Sequence, residues 1–174
     1  WLTPILAIII KLESKGPLFF VQKRNGLNYH EFDCYKFRSM NLNPAAHLEQ
    51  VSKNDPRITR VGRFLRKTSI DELPQFINVF LGQMSVVGPR PHMVSHTEMY
   101  AQRVNKFMVR HFVKPGITGL AQTKGYRGEV EKETDIINRV KYDIFYMENW
   151  SILLDIKIIF MTIFNTIKGE DKAY

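Results

Sequence analysis

No charged residue interrupts the chain from Trp1 to Ile10, and the first charge is Lys11. An apolar run of this kind has to be withdrawn from water, into a core or into lipid. Ten residues fall short of the ~20 that cross a bilayer, and no basic stretch or small-residue cleavage site marks a signal peptide. Pro4 removes a backbone donor and kinks any helix that continues through it, and the Thr3 hydroxyl can serve the carbonyls so freed. A bent, membrane-inserted segment is therefore expected ahead of a plain buried helix. A second apolar element runs from Ser151 to Lys168. On a helix, Ser151, Asp155, Thr162, Asn165 and Thr166 fall within an arc of about 100°, while isoleucine, leucine and phenylalanine fill most of the rest. Asp155 and Lys157 argue against a span. This helix should pack on the domain and lie at the lipid interface, with Trp150 at headgroup level; an ordinary buried core helix is the alternative.

Between these ends the composition is that of a folded protein. The chain has 174 residues, with 44% hydrophobic and 24% charged residues, which suits a single domain and excludes a disordered basic tail. Lysine and arginine exceed aspartate and glutamate by 25 − 17 = 8, so the surface should attract anions such as nucleic acid, lipid headgroups or a phosphorylated substrate. No zinc-finger spacing, RNA-recognition signature or helix-turn-helix is visible, which argues against nucleic acid. The single cysteine, Cys34, excludes an internal disulfide and points to a reducing compartment. It reads as a small half-buried hydrophobe rather than a nucleophile. His92 and His96, four apart, could share a helix face, but no third ligand completes a zinc site.

After the turn signal Lys15-Gly16-Pro17, the runs Leu18–Arg24 and Tyr29–Arg38, separated by Asn25-Gly26 and its neighbours, predict a β-hairpin. Asn41 to Pro56 reads as a loop with one helical turn at Ala45–Gln50. Arg57, Arg60, Arg63, Arg66 and Lys67 follow with no acid among them, a broad basic flank that from Arg57 to Arg63 is explained as readily by a solvated face.

Adjacent acids come next, in Thr68-Ser69-Ile70-Asp71-Glu72-Leu73-Pro74-Gln75. Ser69 and Glu72 have capping-box spacing, yet that register places Pro74 beyond the first turn. A helix capped by Asp71, opened by Glu72 and stopped at Gly82 avoids the conflict. Both acids should then stay ionised in the field of the helix N-terminus, and a phosphate could share that field if Arg66 and a divalent metal offset the repulsion. Downstream, Pro89-Arg90-Pro91 stiffens the backbone on both sides of Arg90 and presents its guanidinium as a phosphate fork. In Lys114-Pro115-Gly116-Ile117-Thr118-Gly119 the glycines permit close backbone approach around Thr118.

The chain resembles the bacterial sugar transferases, the monotopic phosphoglycosyl transferases. The resemblance rests on Tyr35–Met40, Arg66–Gln75, Met84–Pro91, Lys114–Gly119 and Tyr142-Asp143 before Trp150-Ser151, in family order over essentially the whole chain. Gly125-Tyr126-Arg127-Gly128-Glu129 looks like the version found in undecaprenyl-phosphate glucose phosphotransferases. The resemblance implies an α+β, mostly helical single domain with a small β-hairpin and membrane-associated amphipathic helices. Residues 1–14 would be the remainder of a truncated re-entrant membrane helix, bent at Thr3-Pro4, and 15–174 the catalytic domain on the cytoplasmic face of the bacterial inner membrane.

The implied reaction moves a sugar-1-phosphate from a UDP-sugar, glucose or galactose favoured, to undecaprenyl phosphate, releasing UMP and initiating exopolysaccharide, capsule or O-antigen synthesis. By the family pattern Asp71 is the nucleophile and Glu72 helps hold Mg²⁺, with Asp143 a further acid for metal or positioning. Lys36, Arg38, Arg66 and Arg90 would spread the charge of the transferring group, and Tyr126 and Arg127 would lie near the nucleotide or sugar. Membrane lipid is an expected partner and a homo-oligomer is possible. The rival from another class is a non-catalytic membrane-surface or scaffold protein of the same fold.

Overall fold

A computed structural model of the protein describes residues 2–43, 51–52, 55–128, 130 and 132–169; the turn expected at 45–50 lies outside them. Helix α1, Leu2–Glu13, places Pro4 in its first turn, where no backbone donor is needed. One turn apart, Leu6 and Ile10 bury themselves against Phe37 and Leu65. At the far end of α1, Glu13 accepts the Val61 N–H at 3.0 and 3.1 Å. This caps helix α2, Arg60–Lys67, together with Thr59, whose hydroxyl accepts the Gly62 N–H at 2.9 Å. Two segments nearly fifty residues apart are thus tied by the unpaired donors of one helix start.

The expected hairpin forms from β1, Phe19–Asn25, and β2, Glu31–Phe37, antiparallel from Phe19↔Phe37 to Asn25↔Glu31. Its loop is longer than a two-residue turn, with a 3₁₀ turn at Leu27–Tyr29 and left-handed backbone at Asn28 and Tyr29. Alternation along the strands puts Phe20, Gln22 and Arg24 on one face, opposite Lys36, Cys34 and Phe32.

The helix after the two acids starts later than its sequence suggests. Ile70–Glu72 is a 3₁₀ turn entered through a left-handed Ser69, and α3 is Gln75–Phe80, preceded by Pro74 with no side-chain cap. Asp71 therefore caps nothing. Proline sets the boundary, because its ring cannot sit deeper in the helix. Strand β3, Ser85–Val87, then pairs in parallel with β4, Gly116–Thr118, a pairing that the glycine- and proline-rich sequence did not announce. It brings the Pro-Arg-Pro loop and the Gly-Ile-Thr-Gly turn together. A Cβ on Gly116 would lie 2.1 Å from the Gly88 nitrogen and one on Gly119 2.2 Å from its oxygen, so both positions require glycine.

The remaining elements are α4, Val94–Arg103, a 3₁₀ stretch at Phe107–Phe112, α5, Leu120–Thr123, α6, Glu133–Glu148, and α7, Ile152–Lys168. Apolar clusters join them locally. Tyr100, Val104 and Phe107 meet Ile136 and Val140 of α6, and Val87 and Leu120 meet Tyr146 and Ile158. Helix α7 is inverted relative to an ordinary surface helix. Asp155 accepts from the Tyr146 hydroxyl at 2.8 Å, Thr162 meets Thr118 at 2.6 Å, and Asn165 donates to the Thr123 carbonyl at 3.1 Å. Only Ile158 of its residues is buried, while Phe160 and Phe164 face outward. The alternative of a buried core helix is thereby excluded. Among the described residues no helix is long and apolar enough to cross a membrane.

Asn78 joins α3 to the hairpin. Fully buried, it accepts the Tyr35 N–H at 3.1 Å and donates to the Asp33 carbonyl at 2.7 Å and to Gln83 at 2.8 Å. Replacing it with alanine strands these groups in a dry interior. Asn78→Ala should lower stability by about 3 kcal/mol, checked by the denaturant midpoint at unchanged slope.

Candidate active site

Asp71 and Glu72 are neighbours on the 3₁₀ turn, each 6% exposed, yet they meet opposite surroundings. Glu72 is enclosed by cations from three other segments. Lys36 Nζ of β2 lies 2.8 Å from Oε1, Arg90 donates to Oε1 at 2.6 Å and to Oε2 at 3.2 Å, and Arg127 stands 3.8 Å from Oε2. Arg127 also donates to the Ser69 hydroxyl at 2.9 Å, holding the left-handed residue that begins the turn. Asp71 has no hydrogen bond or ion pair among the described residues. Its carboxylate instead lines a cavity of about 530 Å³ and is the one acid on that wall among the described residues.

The cavity gathers most of the expected cations. Lys36, Arg66 and Arg90 line it beside Asp71, and Arg66 donates to the Ser39 hydroxyl at 3.4 Å. Arg38 also reaches the wall, but as a clamp rather than a phosphate ligand: its guanidinium donates to the Lys15 carbonyl and, at 2.7 Å, to that of Ser14. Backbone carbonyls hold its terminal nitrogens, while its Nε is buried without a hydrogen-bond partner. Tyr126 lines neither this cavity nor a smaller one of about 290 Å³ behind Glu72; it accepts from Asn138 at 3.1 Å and packs on Tyr142. Of the basic run, Arg57 is held by Asp55 at 2.6 Å while Arg60 and Arg63 are exposed.

Asp143 is also placed differently from expectation. It is 2% exposed and lies 2.7 Å from Arg110, and no group of three His, Cys, Asp or Glu residues among those described could share a metal ion. A common Asp71–Glu72–Asp143 centre therefore does not form: Arg110 has claimed one acid and three cations another. The histidines lack a metal arrangement too. Buried His92 sits between Arg110 and Arg139, at 3.3 Å from the latter, and His96 packs on Tyr100. Burial and these arginines hold His92 well below its ordinary value, which keeps it neutral. Burial pushes the Cys34 thiol up, as suits an inert side chain.

Sequence reasoning missed Arg24 and Arg139, which both line the cavity. Signals for them existed. Arg24 shares a strand face with Phe20 and Gln22, and Arg139 stands four residues before Asp143 on one face of α6.

The whole chain bears on kinship as well. A family model described as "Bacterial sugar transferase" matches residues 1–169. The chain belongs to the bacterial sugar transferase family. It is 52% identical over 167 residues to a protein of Klebsiella pneumoniae named UDP-glucose:undecaprenyl-phosphate glucose-1-phosphate transferase, covering 94% of this chain and 36% of the relative. Against an exopolysaccharide production protein of Rhizobium leguminosarum bv. phaseoli it is 45% identical, covering 91% of this chain and 82% of the relative. A UDP-galactose-lipid carrier transferase of Erwinia amylovora is 43% identical, with 99% and 38% covered. The chain thus spans little more than a third of the first and third of these proteins.

In this member of the sugar transferase family the two adjacent acids titrate in opposite directions, contrary to the expectation of a shared helix field. Burial, with the Glu72 charge alongside, raises Asp71 above the ordinary carboxylate value. Burial alone would raise Glu72 as well, but Arg90, Lys36 and Arg127 outweigh it and hold Glu72 well below. The folded protein therefore binds a proton at Asp71 more tightly than the unfolded chain does. Its stabilising contribution is complete below the unfolded value of 3.8 and is lost as pH rises through the raised one, so the ionised carboxylate is a net cost at neutrality. Glu72 has the opposite sign: its contribution is present above 4.5 and is lost as pH falls through the depressed value.

Thermal unfolding checks both signs. Asp71→Asn should melt above wild type at pH 7, with the gain fading as pH approaches 4. Glu72→Gln should lose about 3–5 kcal/mol, since it leaves buried cations uncompensated.

Proposed function

We propose that the protein transfers a sugar-1-phosphate from a UDP-sugar to undecaprenyl phosphate in two displacements at Asp71. The observation that carries this reading is the division of labour between the neighbouring acids. Glu72 is saturated with cations, whereas Asp71 faces a basic cavity with its oxygens uncommitted. In the first displacement an Asp71 oxygen attacks the sugar-bearing phosphorus. The bond to the uridylyl phosphate breaks, UMP leaves with the electron pair, and an acyl phosphate to the sugar phosphate remains. In the second, an oxygen of undecaprenyl phosphate attacks that phosphorus, the bond to Asp71 breaks, and the carboxylate is restored. No proton has to move at the reacting atoms. A carboxylate approaching a diphosphate meets repulsion, and Lys36, Arg66 and Arg90 lower it by standing around the phosphorus with little reorganisation.

Mg²⁺ suits the donor set through Asp71 and, secondarily, Glu72. It is content with one or two carboxylates, its other positions taken by substrate phosphate and water, and when bound it would neutralise charge on the diphosphate. Glu72 is otherwise the anion that fixes Lys36, Arg90 and Arg127 in place. Asp143, buried on Arg110, holds α6 against the 3₁₀ stretch.

The outward apolar faces support a seat on lipid at the cytoplasmic face of the inner membrane. Leu12 of α1 is 82% exposed, Phe80 of α3 95% and Ile167 of α7 81%. Ile8, Phe160 and Phe164 are exposed as well, at 61%, 68% and 66%, large apolar side chains of the kind that mark a membrane-facing surface. Trp150, 59% exposed and donating to Asp155 at 3.2 Å, stands at the start of α7, where an interfacial anchor would be expected. The names of relatives include glucose, galactose and N-acetylgalactosamine; glucose and galactose remain the favoured sugars, for the initiation of exopolysaccharide, capsule or O-antigen synthesis.

UMP release by the protein in nanodiscs with Mg²⁺, undecaprenyl phosphate and a panel of UDP-sugars tests the reading. Wild type should release UMP with one or two sugars, and Asp71→Asn should fall by at least ~10⁴-fold, the loss expected when a nucleophile is removed. Release by neither protein would favour the scaffold role; full activity in Asp71→Asn would remove the nucleophile.

A further inference from the structure

The cations on the cavity wall are not equally satisfied. At the Phe20 end of the hairpin face, Lys36 is bound to Glu72, Arg38 to two backbone carbonyls and Arg57 to Asp55. Four residues along the same strand face lies Arg24, about 14 Å away by the rise of a strand. It donates to Gln22 at 2.6 Å and to the Pro91 carbonyl at 3.5 Å, and among the described residues no carboxylate is within ion-pair distance. At this end the strand touches the loop that carries Arg90, through the Arg24↔Met93 bridge and the Asn25 N–H to His92 carbonyl bond at 3.4 Å.

Arg139 reaches the same wall from α6 and is the less satisfied of the two. It is 3% exposed, its Nε has no hydrogen-bond partner, and its terminal nitrogens reach only the Gly128 carbonyl and His92 Nε2, each at 3.3 Å. A neutral imidazole has one acceptor nitrogen, and His92 has two arginines beside it. Arg110 also has Asp143 and, at 2.8 Å, the Arg90 carbonyl; Arg139 is the one left short. Arg24 and Arg139 remain charged, for although burial lowers each to about 10, that is far above neutrality. Guanidiniums with no carboxylate partner among the described residues, Arg139 fully buried and Arg24 partly so, are costly, and an incoming anion lowers that cost.

We propose that Arg24 and Arg139 form the subsite for the nucleotide-side phosphate of the nucleoside diphosphate, the one that departs with the nucleoside. The inference rests on the transfer reading above and adds a direction to it. With the reacting phosphorus at Asp71, the second phosphate lies toward Arg24 and Arg139, where charge is uncompensated. The sugar, which is neutral, lies toward Ser39, Asn41 and Phe20, where Lys36 and Arg57 are already paired with carboxylates. Arginine at both positions also stabilises the charge that grows on the leaving phosphate.

Calorimetric titration of UMP and of glucose-1-phosphate into wild type, Arg24→Gln and Arg139→Gln, in nanodiscs, tests this without requiring turnover. UMP binding should weaken at least tenfold in each variant, while glucose-1-phosphate binding, which lacks the second phosphate, should change less than twofold. Should Arg139→Gln fail to fold, the half-exposed Arg24 decides alone. Unchanged UMP affinity in Arg24→Gln, or equal weakening for both ligands, overturns the subsite. A wild type that binds UMP but releases none from any UDP-sugar would instead count against the transfer reading.

Discussion

Everything at the centre of this molecule depends on Glu72 being an anion. Its carboxylate gathers Lys36 from the hairpin, Arg90 from the Pro-Arg-Pro loop and Arg127 from the loop after α5. An apolar cluster of Phe32, Cys34 and Met84 joins the hairpin to the segment that leads into the Pro-Arg-Pro loop, and the Arg127 loop meets them at Glu72. What aligns them is charge in a site where water cannot compete, so the attraction is strong and a missing partner is costly. By matching cations from three directions, Glu72 leaves its neighbour facing a basic cavity with no direct ion pair among the described residues.

Asp71 is the counterpart of that arrangement. It is buried beside a fixed negative charge, an unstable place for a carboxylate and a useful one for a nucleophile that must meet a diphosphate surrounded by cations. Stability is given up where the chemistry is done, and the loss is offset at Glu72, one residue away. The same economy extends to Arg24 and Arg139, for which no carboxylate among the described residues stands at ion-pair distance.

Much of this was legible in the sequence, and the parts that were not have physical reasons. The hairpin was visible because its aromatic and β-branched runs are bounded by Lys15-Gly16-Pro17 and Asn25-Gly26. Asp71-Glu72, Arg66 and Arg90 were singled out by the proline-stiffened context and the family resemblance, and the fold brings Asp71, Arg66 and Arg90 onto one cavity wall with Glu72 bound to Arg90. The start of α3 was misplaced by three residues, since a left-handed serine leading into a 3₁₀ turn has no propensity signature. The β3–β4 pair was hidden because its strands are three residues long and their partners are distant in the chain. Arg38 and Asp143 were assigned by motif, and only tertiary neighbours reveal that backbone carbonyls hold the one and Arg110 the other. On α7 the polar arc was read correctly, and the contacts of Asp155, Thr162 and Asn165 show which way it faces.

The central claim is that Asp71 carries the sugar phosphate between donor and acceptor. Incubation of the protein with its UDP-sugar in the absence of undecaprenyl phosphate, followed by intact mass measurement and peptide mapping, addresses it directly. The account predicts release of one equivalent of UMP and a hexose-phosphate adduct on the peptide that contains Asp71, discharged when the lipid phosphate is added. UMP release that begins only once the lipid phosphate is present, with no adduct at any stage, would contradict it and require a single direct displacement.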